Sequence, residues 1–174
     1  EQYGTLETLY PNRVELGLGR APGTDMQTAA ALRRGRNSLD FPAEIAELRG
    51  YFKDCNPVSA YPSAGLNIPF YILGSSTESA YLAAELGLPY AFASHFAPRM
   101  MEMAVEIYRK NFKPSTYLAE PYVILGVNAI IAKTDKEARQ LATTQTLFFL
   151  NVVTNAQQNL QIGRASCRER VSSP

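Results

Sequence analysis

A chain of 174 residues with 46% apolar and 19% charged residues has the make-up of an ordinary globular domain able to bury one substantial core. It is too short for a complete eight-fold α/β barrel of roughly 250 residues, and a formal charge of +1 gives no electrostatic case for a nucleic-acid or membrane partner. One His and two Cys (Cys55 and Cys167) build neither a histidine metal site nor a disulfide framework. A metal-free, cytoplasmic protein that binds small molecules is the simplest expectation.

The chain opens on Glu1 with Tyr3, Leu6, Leu9 and Tyr10 at helical spacing, so a start inside an element of a longer protein is expected. There is no basic-then-apolar leader at this start, and no apolar run approaches the ~20 residues of a membrane span. Four apolar, β-branched runs follow, at 13–18, 69–73, 90–93 and 122–132. The first three read as short parallel strands buried on both faces, and the fourth is long enough to continue past its sheet. Between the first two, Gly23, Asn37, Pro42, Pro57, Pro62 and Gly65 punctuate weak helical stretches at about 26–35 and 41–53.

Three further helices carry specific signals. Ser75 to Glu78 has capping-box spacing before Ala80, Ala83 and Ala84, with Gly87 as the stop. Pro98 suits a first helical turn, followed by a stripe of Met100, Met103, Ala104, Ile107 and Tyr108. Thr134 to Glu137 repeats the capping device before Ala138, Leu141, Ala142 and Gln145. The order is therefore βα, βα, βα, β, α, the pattern of a parallel α/β fold.

In such folds ligands meet the carboxyl ends of the strands, which directs attention to three strand-to-helix turns. The first, 16–25, ends in glycines and delivers Arg20 to the rim. That guanidinium can fork onto a phosphate or carboxylate, or pair at the surface with Asp25 or Glu15. The second, 73–79, places hydroxyls and free amides at a helix N-terminus, which serves either a phosphate or plain capping. The third, 92–98, carries His95, whose ring suits proton transfer or a hydrogen bond to a ligand, or an ordinary structural role. No nucleophile elbow, P-loop or dinucleotide fingerprint occurs. Cys55 has no His near it in sequence, and the ten tyrosines read as packing residues.

The runs Arg13 to Asp25, Ile68 to Ser76 and Ala83 to Pro98 resemble bacterial-luciferase-like flavin-dependent monooxygenases, in that family's order and spacing over about residues 1–160. The nearest likeness is to the luciferase-like, alkanal-monooxygenase-like bacterial subgroup. The resemblance implies a partial (β/α)8 barrel, incomplete at both ends, that binds reduced FMN at the strand ends. It implies oxidation of a small organic substrate with O2, an aldehyde being the best-known case, and a separate flavin reductase as the source of reduced flavin. It places phosphate contacts on Arg20, Ser75, Ser76 and Ser79, with Ser75 standing where the luciferase has an acidic residue. It puts His95 near the flavin ring as the candidate catalytic residue. Rival readings are a deazaflavin-dependent hydride-transfer enzyme and a non-catalytic flavin-binding relative. Family members are often homodimers. Four strands leave two open edges and one uncovered apolar face, so an inactive, aggregation-prone piece is expected.

After Gln161 the texture changes, with Arg164, Cys167, Arg168 and Arg170 among serines and no periodicity. Residues 1–161 therefore read as the barrel segment and 162–174 as a foreign, unstructured tail, or alternatively a short basic arm. Without residues 164–174 the chain loses three Arg and one Glu, leaving 14 basic against 15 acidic residues and a formal charge of −1.

Overall fold

The computed structural model describes residues 1–21, 26–32 and 40–154. The expectations placed on Gly23, Asp25, Asn37 and the tail 162–174 lie outside these residues. The elements in order are α1 (Gln2–Leu9), β1 (Leu16–Leu18), α2 (Met26–Leu32), α3 (Phe41–Lys53), β2 (Phe70–Gly74), α4 (Thr77–Leu86), β3 (Tyr90–Phe92), α5 (Met101–Asn111), β4 (Val123–Leu125) and α6 (Asp135–Thr154). The strands form one parallel sheet in the order β1-β2-β3-β4. The expected alternation of strands and helices is thus present. The chain divides into two compact units, 1–127 and 128–174.

The first unit holds the sheet and its core. Register pairs Leu16 with Phe70, Leu18 with Ile72, Ile72 in turn with Tyr90, and Gly74 with Phe92, so these residues share one face. Against that face pack Ile45 and Phe52 of α3, Ala80, Ala83 and Ala84 of α4, and Ala104 and Tyr108 of α5. Three fully buried alanines at i, i+3 and i+4 give α4 a flat side, which lets its backbone approach the strands closely. Gly87 ends α4 in the left-handed conformation, with φ at 58°, and its missing side chain leaves room for Lys113 and Ser115.

The opposite face corrects the expectation of strands buried on both sides. Gly17, Tyr71, Leu73, Ala91 and Ile124 lie there, with Leu73 and Ile124 43% and 39% exposed. The packed helices cover only the other face. Strands are also shorter than the apolar runs, because β1, β3 and β4 pair over just three residues each. The fourth run leaves the sheet after Leu125, as its length implied.

Helix faces differ from the sequence pattern at two places. On α1, Gly4 and Glu7 are buried while Tyr3, Leu6 and Leu9 are exposed, so the apolar residues there do not mark the packed side. On α5 the stripe runs through Met101, Ala104, Ile107 and Tyr108, and Met103 points outward. Pro98 opens a 3-10 turn, Pro98–Met100, that leads into this helix.

The second unit contains α6, whose N-cap is the one expected. Thr134 Oγ1 accepts the Glu137 N–H at 3.2 Å. No helix among the described residues is long and apolar enough to cross a membrane.

Tyr108 joins the core to its polar surroundings. Its hydroxyl donates to the Leu88 carbonyl at 2.9 Å and accepts the Tyr122 N–H at 3.2 Å, while the ring lies 5.4 Å from that of Tyr90. Tyr108→Phe keeps the ring and orphans the buried Leu88 carbonyl. The expected loss is about 1–3 kcal/mol, read as a lower urea midpoint at unchanged slope; an unchanged midpoint would show the hydroxyl to be dispensable.

Candidate functional site

The carboxyl ends of the four strands lie along one edge of the sheet and carry the three turns in sequence. β1 ends at Gly19 and Arg20, β2 at Gly74 to Ser76, and β3 at Ala93 to His95. The Ala93 N–H donates to the Gly74 carbonyl at 2.8 Å, and the Gly126 N–H donates to the Phe92 carbonyl at 3.1 Å. These bonds extend the parallel pairing beyond the strands and hold the turns side by side.

The β2–α4 turn begins the helix one residue later than the capping-box spacing implied. Its N-cap is Ser76, and no side-chain cap bond is made there. The reason lies beneath the turn. The Ser79 hydroxyl donates to the Ser76 carbonyl at 2.7 Å, the Tyr90 hydroxyl donates to the same carbonyl at 3.0 Å, and the two hydroxyls lie 2.9 Å apart. Ser79 occupies the space that a side chain on Gly74 would need, so only glycine at position 74 lets this group tuck against the strand. The Ser76 carbonyl is thereby fixed and the first-turn amides point outward.

Glu78, in that first turn, is held below its ordinary value of 4.5. Its own backbone N–H is the largest cause, followed by the Ser76 hydroxyl; slight desolvation opposes, and the Thr77 hydroxyl and the Arg20 charge add to the lowering. The Arg20 charge thus acts on the β2–α4 turn from the neighbouring strand end. Glu15, one of its two expected partners, instead accepts the Tyr71 hydroxyl at 3.0 Å. The other, Asp25, is outside the described residues. Burial, the largest cause, and the nearby Glu78 charge push the Tyr90 phenol above 10.0 against the lowering effect of the Ser79 bond, so Tyr90 stays a neutral donor.

At the third turn the Ser94 hydroxyl donates to the Gly126 carbonyl at 2.7 Å and ties β3 to the end of β4. His95 is exposed, with its Nδ1 edge packed where a side chain on Gly126 would stand. Arg20 and the Ser75 to Ser79 turn are thus brought together on neighbouring strand ends. His95 stands on the β3–β4 side of the same rim, about two strand spacings or ~10 Å from β1.

Of the expected site residues, Ser75 is half-buried and its side chain has no protein partner among the described residues. The Ser76 hydroxyl helps to lower the Glu78 pKa, and the Ser79 hydroxyl is committed below the turn. Sequence reasoning missed Tyr90, Glu78 and Gly126. Tyr90 reads as a packing tyrosine from sequence, and the available signal was a Tyr opening the short buried strand next in order after the serine-rich helix start. A groove of about 640 Å³ along α5, lined by Met101, Val105, Arg109 and Leu125 among others, includes none of the expected site residues. Among the described residues no group of three or more His, Cys, Asp or Glu is placed to hold a metal ion.

The fold and this rim define a parallel α/β protein of barrel type, with a cation, a helix N-terminus and an imidazole at its strand ends. The luciferase-like monooxygenase family model matches residues 1–171, and the chain belongs to that family. It is 52% identical over 166 residues to the Bacillus subtilis (strain 168) protein YvbT, which covers 92% of this chain and 49% of that protein. It is 50% identical over 157 residues to a luciferase-like monooxygenase of Escherichia coli (strain K12), over 87% of this chain and 47% of the relative. The crystal structure of apo-MsnO8 matches with a TM-score of 0.81 at 32% identity, over 98% of this chain and 53% of that one. The chain spans about half the length of the curated relatives it matches.

Two substitutions test how the β2–α4 turn is held. Tyr90→Phe removes one of the two side-chain donors to the Ser76 carbonyl, so the amide hydrogen of Ala80, which the helix pairs with that carbonyl, should exchange faster while those of β3 keep their protection. Ser76→Ala should raise the Glu78 pKa toward 4.5 in an NMR titration. Because folding depresses this pKa, the stability it contributes is present above the unfolded carboxylate value and is lost as pH falls through the folded one. Ser76→Ala should therefore flatten the pH dependence of stability in that acidic window only.

Proposed function

We propose that this chain supplies the phosphate-binding part of a flavin-dependent monooxygenase that uses reduced FMN and O2 to oxidise a small organic substrate. Membership of the luciferase-like monooxygenase family supports the reaction class. One observation carries the assignment to this rim: β1 and β2 are paired neighbours, so Arg20, two residues beyond β1, and the hydroxyls and amides of the β2–α4 turn stand on adjacent strand ends.

The donor set fits a phosphate dianion. A guanidinium, a hydroxyl and outward amides at the start of a ten-residue helix are the groups that recognise one. Glu78 is the feature that opposes it, since a carboxylate competes for the same amide and the same Ser76 hydroxyl. Its side chain is fully exposed, so it can turn into solvent when a phosphate arrives and leave Ser76 to donate to the ligand. Ser79 then enters through its N–H, while its hydroxyl and Tyr90 keep the turn in place.

When bound, reduced flavin supplies the electrons that activate O2. Arg20 and the Ser75 to Ser79 turn anchor the phosphate and so fix where the ring falls. His95, farther along the rim, is placed to hydrogen-bond the ring or the substrate. The open face of the sheet requires the rest of a closed barrel to exclude water, so this chain alone is expected to lack turnover. A separate flavin reductase is the expected source of reduced cofactor.

The test is titration of FMN and riboflavin into the chain extended to the length of its relatives, followed by oxygen uptake with reduced FMN. Arg20→Ala should weaken FMN binding by roughly 10- to 100-fold and leave riboflavin binding nearly unchanged. Equal affinity of wild type and variant for FMN would remove Arg20 from the site. FMN binding without substrate-dependent oxygen uptake would reduce the protein to a flavin binder.

A further inference from the structure

Away from the rim, where α1 meets the turn at 60–66, two buried polar atoms have no protein partner: Glu7 Oε2 and Ser63 Oγ. Glu7 is 9% exposed and Ser63 is 1% exposed. The Ser63 hydroxyl lies where a side chain on Gly4 would stand, so α1 touches this turn at Gly4. Glu7 follows Gly4 by three residues and therefore lies on the same face of the helix, one turn on. Its other oxygen, Oε1, accepts the Asn12 N–H at 2.7 Å, which fixes the carboxylate plane and leaves Oε2 as the unused acceptor. The backbone of Ser63 is already engaged, its N–H with the Ala60 carbonyl at 2.7 Å and its carbonyl with the Leu66 N–H at 3.1 Å.

A buried carboxylate oxygen and a buried hydroxyl each cost free energy when unpaired, and the carboxylate costs more. We propose that Glu7 and Ser63 together bind one internal water molecule, which donates to Glu7 Oε2 and exchanges a hydrogen bond with the Ser63 hydroxyl. The chemistry favours water over a metal ion. A hard divalent cation takes about six to eight oxygen ligands, whereas a water is satisfied by two to four polar partners. Glu7 and Ser63 offer one free carboxylate oxygen and one hydroxyl, and among the described residues no group of three or more His, Cys, Asp or Glu is placed to hold a metal ion. The water would join α1 to the segment that leads into β2. It also accounts for a glutamate and a glycine on the packed side of α1, where apolar residues are the ordinary choice.

Water-selective NMR on the full 174-residue chain tests this. The expected result is a long-lived water cross-peak to the Ser63 and Gly4 amide hydrogens, lost in Ser63→Ala and retained in Glu7→Gln, whose carbonyl still accepts. Both changes are small enough to keep the fold, and dispersion of the β2 amide signals checks that they do. No cross-peak in the wild-type chain, or one that survives Ser63→Ala, would overturn the proposal. So would a melting temperature that rises with potassium, sodium or ammonium at fixed ionic strength, since that outcome assigns the place to a cation. A crystal structure of the same chain gives the second reading: one water within hydrogen-bond distance of both oxygens supports the proposal, and direct contact between the two oxygens overturns it.

Discussion

The hydroxyl of Tyr90 is the point on which the candidate site depends. The side chain starts in the middle of the sheet, is fully buried, and reaches under the β2–α4 turn to the Ser76 carbonyl. Its ring lies 5.4 Å from Tyr108 and 6.0 Å from Phe92, so the core fixes its position. A carbonyl held from below by Tyr90 and Ser79 cannot rotate freely, and the amides that follow it are aimed by the same constraint. Packing in the core is thus converted into orientation at the rim, and Gly74 is what allows the parts to come close enough.

One consequence of this arrangement is a one-sided sheet. All the large buried residues of the strands face the helices, and the alanine side of α4 sets how near the helices come. The other face keeps Leu73 beside Gly17 and leaves Ile124 half in solvent. Apolar area left in water contributes no stability, at roughly 25 cal/mol per Å² forgone, and both edge strands retain backbone groups able to pair. A chain about half the length of its relatives therefore carries a well-formed helix-facing core and an unsatisfied inner face.

The fold was legible where local signals and periodicity agreed. Thr134 and Gly87 marked their helix ends correctly, and apolar runs at 69–73 and 90–93 located β2 and β3 to within a residue or two. Spacing alone failed where tertiary contact decides. Capping-box spacing pointed to Ser75, whereas the N-cap is Ser76, whose carbonyl is held by Tyr90, fourteen residues on. The apolar residues of α1 and Met103 of α5 have helical spacing yet face outward, since an amphipathic pattern does not say which side a neighbour will take. For the candidate site, the position of Arg20 and of the β2–α4 turn just beyond neighbouring strands was readable from sequence. Glu78 was not, because it had been read only as a capping partner.

Glu78 bears on the site more than a capping role suggests. Its carboxylate is stabilised by a first-turn amide, by the Ser76 hydroxyl and by the Arg20 charge, each of which favours a negative group at this place. Helix capping by an acidic side chain and recognition of a phosphate draw on the same outward amides and the same end of the helix dipole. A turn that lowers the pKa of an exposed carboxylate therefore favours a negative group at that carboxylate's position, the one the proposed phosphate would need. The internal carboxylate and an external anion compete for that position. An exposed side chain gives way at little cost because water solvates it as it leaves, and the dianion brings twice the charge to Arg20. The proposed anion affinity at this rim would then depend on how well Tyr90, buried beneath it, holds the first turn.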